Sequence, residues 1–222
     1  MITIDEQLSF FKLIGVELKE KTECFVIGGS AMMFYGAKES TKDIDLVFLN
    51  KEALNNVKDV LSNLGYINKN DLIKIFRYHE VTKNKPIMMV GKNGERFDLF
   101  LNEIICFKFS EDIIERVKEV HEFNNLIVKV ISSEDIILLK CAIERAKDRE
   151  DAASLIKKFN INWNLIIEES INQTKLEEYL FPVFLYDFLE ELKEDFKVEI
   201  PIDVLKKLRK ISEELMIKKL KK

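Results

Sequence analysis

Two glycines and a serine, Gly28-Gly29-Ser30, lie shortly upstream of two aspartates spaced by one residue, Asp43-Ile44-Asp45. A Gly-Gly-Ser turn is suited to holding a phosphate against backbone N–H groups. Two carboxylates one residue apart are suited to holding a divalent metal. On consecutive elements they describe a site for a metal–nucleoside triphosphate. The Gly-x4-Gly-Lys-[Ser/Thr] spacing of a P-loop is absent, so the phosphate device is of another kind.

The neighbouring residues set how these groups are carried. Cys24 to Ile27 is a short apolar, β-leaning run that stops at the glycines, which predicts a buried strand ending in a turn. Ser30 then opens a short helix, Ala31 to Tyr35, that stops at Gly36. A helix N-terminus leaves free backbone donors and a partial positive charge facing an anion. Asp43 to Leu49 predicts a strand, so Asp43 and Asp45 share a face, about 7 Å apart at roughly 3.3 Å of rise per residue. Two bare carboxylates at that distance repel by about 2 kcal/mol at an effective dielectric near 20. A cation between them turns that repulsion into binding. An isolated Asp-x-Asp is more often a solvent-facing stripe; the Gly-Gly-Ser beside it reverses the preference.

A third carboxylate extends the pattern. Lys92-Asn93-Gly94-Glu95 predicts a turn, and Arg96 to Leu101 the strand leaving it. Asp98 sits there between large apolar residues, where a charge must be hydrated, paired or metal-bound. If the two strands are neighbours, Asp43, Asp45 and Asp98 converge. Hard oxygen ligands suit Mg2+, with Mn2+ the alternative, and such sites serve in-line phosphoryl and nucleotidyl transfer.

These residues resemble the catalytic core of the DNA polymerase β-like nucleotidyltransferase superfamily. The string from Ile27-Gly-Gly-Ser-Ala31 through Thr41-Lys42-Asp43-Ile44-Asp45-Leu46 most resembles the branch of AbiEii-type toxins and small nucleotidyltransferases. The likeness resumes at Ser133-Glu134-Asp135, Leu139-Lys140 and Arg145 to Asp151, and departs at Lys38, where relatives often carry Arg. The resemblance implies that Gly28, Gly29 and Ser30, with Thr41 and Lys42, bind the nucleotide phosphates. It makes Asp43, Asp45 and Asp98 metal ligands, with Asp98 also helping to deprotonate the attacking hydroxyl. It gives Lys140 a contact to the phosphates and Asp148 or Asp151 an acidic place near the site. It further implies a nucleoside triphosphate donor, an RNA end as one acceptor, and an antitoxin protein as one partner.

Local context offers plainer roles for the last three. Val128 to Ile131 predicts a strand, and Ser132 with Asp135 a capping-box-like start for a helix running to about Lys147. Lys140 there is either a phosphate contact or a solvated residue pairing with Glu144. Asp148 and Asp151 look like an N-cap and a first-turn acid of the next helix.

The chain has 222 residues, of which 47% are apolar and 33% charged, which excludes an ordinary disordered chain. A formal charge of −4 gives no global attraction to nucleic acid, so an RNA acceptor needs a local basic face. Three scattered cysteines in apolar runs point to buried thiols in a reduced, cytoplasmic setting. The two histidines and the cysteines show no zinc-ligand spacing; His79 reads as a half-exposed strand residue. No stretch is apolar and long enough to span a bilayer, so no membrane association is expected.

The expected fold is α+β: a mixed β-sheet nucleotidyltransferase core with flanking helices over residues 1–131, then a helical region over 132–222. Residues 3–20 and Asn50 to Leu64 predict helices; 74–81, 86–90, 96–101 and 127–131 predict strands, the first two as a hairpin, in a sheet of about six. In the helical region, Thr174 with Glu177 predicts a capping box opening a helix bent at Pro182, and Pro201 a helix start. The last helix carries an apolar stripe, Leu205, Leu208, Ile211, Leu215 and Met216, expected in the core. The acceptor stays open between an RNA end, a small molecule such as an aminoglycoside, and a protein side chain. A non-catalytic nucleotide-binding or partner-binding module of the same fold is the alternative function.

Overall fold

The computed structural model describes residues 1–69, 85–104, 106–117, 119–142, 145–177 and 179–220. The expected strand 74–81 with His79, the link at 82–84, and Glu144 lie outside the described residues. The chain forms two units, Met1–Ile105 with Ile113–Ile131, and Cys106–Asp112 with Ser132–Lys222. The sequence expectation divided the chain once, after residue 131; Cys106–Asp112 groups instead with the helical residues.

Seven strands build the sheet of the first unit: β1 (Thr22–Val26), β2 (Asp43–Phe48), β3 (Ile67–Asn68), β4 (Ile87–Val90), β5 (Arg96–Leu101), β6 (Glu119–Phe123) and β7 (Leu126–Val130). Their spatial order is β6-β7-β1-β2-β5-β4-β3. The β7–β1 and β2–β5 pairs are parallel and the other four antiparallel, so the sheet is mixed. The central strands are apolar on both faces: Cys24, Phe25 and Val26 of β1 and Ile44, Leu46, Val47 and Phe48 of β2 are all buried. β4 pairs with β5 on one side and β3 on the other. Two of these strands are absent from the sequence expectation, the short β3 and, at the opposite edge of the sheet, β6. β6 forms a hairpin with β7 across Asn124-Asn125, where Asn124 takes a left-handed φ of 53°.

Among the described residues, this unit carries α1 (Ile4–Glu17), α2 (Gly28–Phe34) and α3 (Lys51–Asn63). α1 opens with a capping box, in which the Thr3 N–H donates to the Glu6 carboxylate (2.8 Å) and the Glu6 N–H to the Thr3 hydroxyl (3.4 Å). Just before it, Ile2–Thr3 pairs antiparallel with Ser40–Thr41. α3 is capped by Asn50, whose side chain accepts from the Ala53 N–H at 2.8 Å.

Gly15 of α1 lies where the helix meets the β6–β7 hairpin. A Cβ there would stand 1.7 Å from the Phe123 carbonyl oxygen. The close approach lets the Asn125 N–H donate to the Gly15 carbonyl (3.1 Å) and the Asn125 side chain to that of Leu18 (2.7 Å).

The second unit is helical: α4 (Ser133–Cys141), α5 (Ala146–Lys158), α6 (Trp163–Leu176), α7 (Phe181–Asp195) and α8 (Ile202–Leu220). Ser132 caps α4 as expected, accepting from the Asp135 N–H at 3.1 Å. Several expectations are corrected here. α4 stops at Cys141 instead of continuing to Lys147, and the cap of α5 is Arg145, so Asp148 lies in its first turn and Asp151 further along. Thr174 closes a helix rather than opening one: its hydroxyl donates to the Ser170 carbonyl (3.1 Å) and accepts from the Phe181 N–H (3.0 Å). Pro182 consequently sits in the first turn of α7, where a missing N–H costs nothing, and introduces no bend. On α8 the apolar stripe is buried only at Leu205 and Leu208; Met216, Ile217 and Leu220 are exposed.

Among the described residues, no helix is long and apolar enough to cross a membrane. Cys24 and Cys141 are buried and Cys106 partly so, and all three are free thiols. Burial pushes the Cys24 thiol well above its ordinary range.

Gly15→Ala is expected to destabilise the fold by about 3 kcal/mol, because a methyl group cannot fit against a fixed carbonyl without moving helix or hairpin. Urea unfolding followed by circular dichroism checks this; an unchanged midpoint would show that the helix–hairpin contact yields freely.

Candidate active site

Parallel pairing of β2 with β5 sets Asp43 opposite Arg96 and Asp45 opposite Asp98. Alternation then places all four side chains on one face of the sheet. The carboxylates of Asp43, Asp45 and Asp98 each offer an oxygen, and these oxygens lie within 4.8 Å of one another. Asp98 is 7% exposed, while Asp43 and Asp45 are half-buried. A pair of like charges at this separation repels by about 3 kcal/mol at an effective dielectric near 20. The cluster therefore needs positive charge.

Arg96 supplies some of it. Its Nη2 donates to Asp98 Oδ2 at 2.9 Å and also to the Asp43 carboxylate. The sequence reading used Arg96 only as the first residue of a strand. Its signal was its position two residues before Asp98, which guarantees a shared face. Arg96 thus bonds to two of the three carboxylates. That all-oxygen donor set fits a hard divalent cation of the Mg2+ or Mn2+ type.

The glycine turn lies directly against this cluster. Gly28 has a left-handed φ of 59°, and a Cβ on it would stand 2.8 Å from Asp45 Oδ2. A Cβ on Gly29 would stand 2.7 Å from Thr41 Oγ1, with the Lys38 stem at 3.5 Å. Only glycine lets the backbone approach so closely. The helix starts at Gly28, two residues before the Ser30 start that the sequence suggested. Ala31 makes the first bond back into it, N–H to the Ile27 carbonyl at 3.1 Å. The N–H groups of Gly28, Gly29 and Ser30 thus precede the intrahelical ladder.

Ser30 does its work toward the interior. It is fully buried, its hydroxyl donates to the Asp43 carbonyl (3.1 Å), and its carbonyl accepts from the buried Gln7 side chain (3.2 Å). The Ile27 N–H donates to the Asp45 carbonyl at 3.1 Å. Turn and acidic strand are therefore stitched together by backbone and hydroxyl bonds, a contribution of Ser30 and Gln7 that spacing alone did not show. Thr41 is buried beside Gly29, and Lys42 is exposed.

In the second unit, Lys140, Asp148 and Asp151 form a buried ion cluster. Lys140 Nζ lies 2.6 Å from Asp148 Oδ1 and 2.8 Å from Asp151 Oδ2, with Arg145 Nε 3.3 Å from Asp148 Oδ2. All three side chains of the core cluster are nearly excluded from water, at 11%, 4% and 9% exposure. Lys140 is the tie between α4 and α5. Removing it takes away the cation that the two buried carboxylates share, so Lys140→Ala is expected to cost on the order of 3 kcal/mol. Chemical denaturation measures this, with Lys140→Arg as the charge-retaining control. Equal midpoints for Lys140→Ala and the parent would show the cluster to be solvated.

No curated protein matches the chain. Two solved structures are similar to it at 14% sequence identity. One is an antigenic nucleotidyltransferase-like protein from Paracoccidioides brasiliensis, matched over 92% of this chain and 98% of that one with a TM-score of 0.49. The other is ANT(2")-Ia in complex with adenylyl-2"-tobramycin, matched over 83% of this chain and 97% of that one with a TM-score of 0.43. Likeness at this level says nothing about substrates. Residues 1–197 fit the family described as nucleotidyltransferase of unknown function (DUF6036), and the chain belongs to that family.

Proposed function

We propose that the protein is a divalent-metal-dependent nucleotidyltransferase that moves a nucleoside monophosphate from a nucleoside triphosphate to an acceptor hydroxyl. The observation that carries this reading is the convergence of Asp43, Asp45 and Asp98 beside the Gly28–Gly29 turn. Membership of a nucleotidyltransferase family supports it.

In this reading the N–H groups of Gly28, Gly29 and Ser30 receive the β- and γ-phosphates, with Thr41 and Lys42 at the edge of that cradle. Asp43, Asp45 and Asp98 hold the cation, Mg2+ or in its place Mn2+. When bound, it supplies neutralisation of the charge on the triphosphate and on the departing pyrophosphate. Asp98, the most buried of the three, takes the proton of the attacking hydroxyl. The acceptor oxygen forms a bond to the α-phosphorus, the bond from that phosphorus to the bridging oxygen breaks, and pyrophosphate leaves with the electron pair. For Lys140 and Asp151 the motif resemblance alone supports a role, as a phosphate contact and an acidic position near the site.

The finer assignment follows the same motifs. We infer an AbiEii-type enzyme acting in the cytoplasm, whose acceptor is an RNA end, and which serves as the toxin of a toxin–antitoxin pair. Incubation with each labelled triphosphate, Mg2+ and total cellular RNA, followed by sizing of the product, tests donor and acceptor together. Label should enter RNA with the parent protein and fall at least a hundredfold with Asp45→Asn, on the scale of losing a group that acts in the transition state. Undiminished incorporation by Asp45→Asn, with its fold intact, would refute the assignment.

A further inference from the structure

We propose that Arg96 is a built-in counter-ion of the carboxylate cluster, which holds the place of positive charge before a divalent cation arrives and competes with that cation for Asp43 and Asp98. The inference rests on the proposed metal site and adds a positioning residue to it.

The geometry carries it in four steps. A single guanidinium nitrogen bonds to both Asp43 and Asp98, two of the three side chains whose oxygens converge. Arg96 therefore uses the same lone pairs that a hard cation would use. A divalent cation that takes those lone pairs must displace or repel the guanidinium. The pose is also incompletely satisfied: among the described residues the buried Nε–H of Arg96 finds no acceptor. A residue installed as a permanent structural ion pair would be expected to engage more of its donors.

The third step concerns freedom to move. The Arg96 side chain is 35% exposed, whereas that of Asp98 is 9% exposed. The cation can leave toward solvent; the carboxylate beneath it cannot. The fourth step concerns what stays behind. The β2–β5 register and the bonds from Ser30 to the Asp43 carbonyl and from Ile27 to the Asp45 carbonyl fix the strand that bears two of the acids. The donor set consequently survives the departure of Arg96. Its spacing is a property of the sheet.

The test is metal binding to the full chain, read without turnover. Mn2+ binding is measured by electron paramagnetic resonance and Mg2+ binding by calorimetry, for the parent, Arg96→Gln and Arg96→Lys. Removing a competing positive charge at hydrogen-bond distance should tighten divalent binding on the order of tenfold in Arg96→Gln. Arg96→Lys, which keeps the charge, should remain near the parent. Thermal unfolding should show Arg96→Gln less stable without divalent cation and raised further by Mg2+ than the parent is. Should Arg96→Gln fail to fold, the parent protein still answers: the Arg96 guanidinium resonance in nitrogen-15 spectra must shift in step with Mg2+ occupancy. Equal or weaker binding by a folded Arg96→Gln, or a guanidinium signal indifferent to Mg2+, overturns the inference while leaving the proposed reaction standing. Absence of divalent binding in the parent overturns both.

Discussion

Three acids held on one face of two adjacent strands is an arrangement that folding opposes. Parallel pairing of β2 with β5 forces Asp45 and Asp98 side by side, and like charges directly across a strand pair are destabilising. The chain accepts that cost and surrounds it with strongly favourable structure. Ile44, Leu46, Phe97 and Leu99, the alternate residues of the same strands, are all buried. The apolar sides of the two strands thus hold in place what their polar sides would push apart.

The glycine turn belongs to the same construction. It follows β1, which pairs antiparallel with β2, and its geometry is fixed by β2 through the Ser30 hydroxyl and the Ile27 N–H. Glycine turn and acidic strand are in this sense one object. A shift in β2 moves both, so their separation is insulated from motion elsewhere in the sheet. The buried ion cluster of the second unit follows a different logic. There Lys140 bridges two carboxylates of the neighbouring helix and Arg145 stands beside one of them, so the charges are closer to balance.

What the sequence disclosed, and what it withheld, divides along physical lines. Asp43, Asp45 and Asp98 were legible because acidic residues in strongly apolar strands have few inexpensive explanations, and the period of a strand fixes their common face. The turn was legible through its glycines, although the start of α2 was misplaced because a glycine with a left-handed φ does not advertise itself as helical. Arg96 was passed over because a basic residue at the edge of a strand is ordinary; its partner became visible only with the register. β6 was missed for a similar reason, since the polar residues Glu119, His121 and Glu122 break the alternation of a half-buried strand and its pairing depends on the Asn124-Asn125 turn. The Thr174 cap and the Pro182 bend failed together. Both residues have the right chemistry for a helix terminus, and only tertiary packing tells which end and which helix they serve.

The pairing of Ile2–Thr3 with Ser40–Thr41 has a consequence for how this fold can vary. Thr41 presses on Gly29, and Gln7 reaches the carbonyl of Ser30, so the amino-terminal residues buttress the phosphate turn from two directions. Trimming those first residues would behave as an active-centre lesion despite their distance along the chain from every acid. Homologues that elaborate this end would have to do so upstream of Ile2, leaving the brace itself undisturbed.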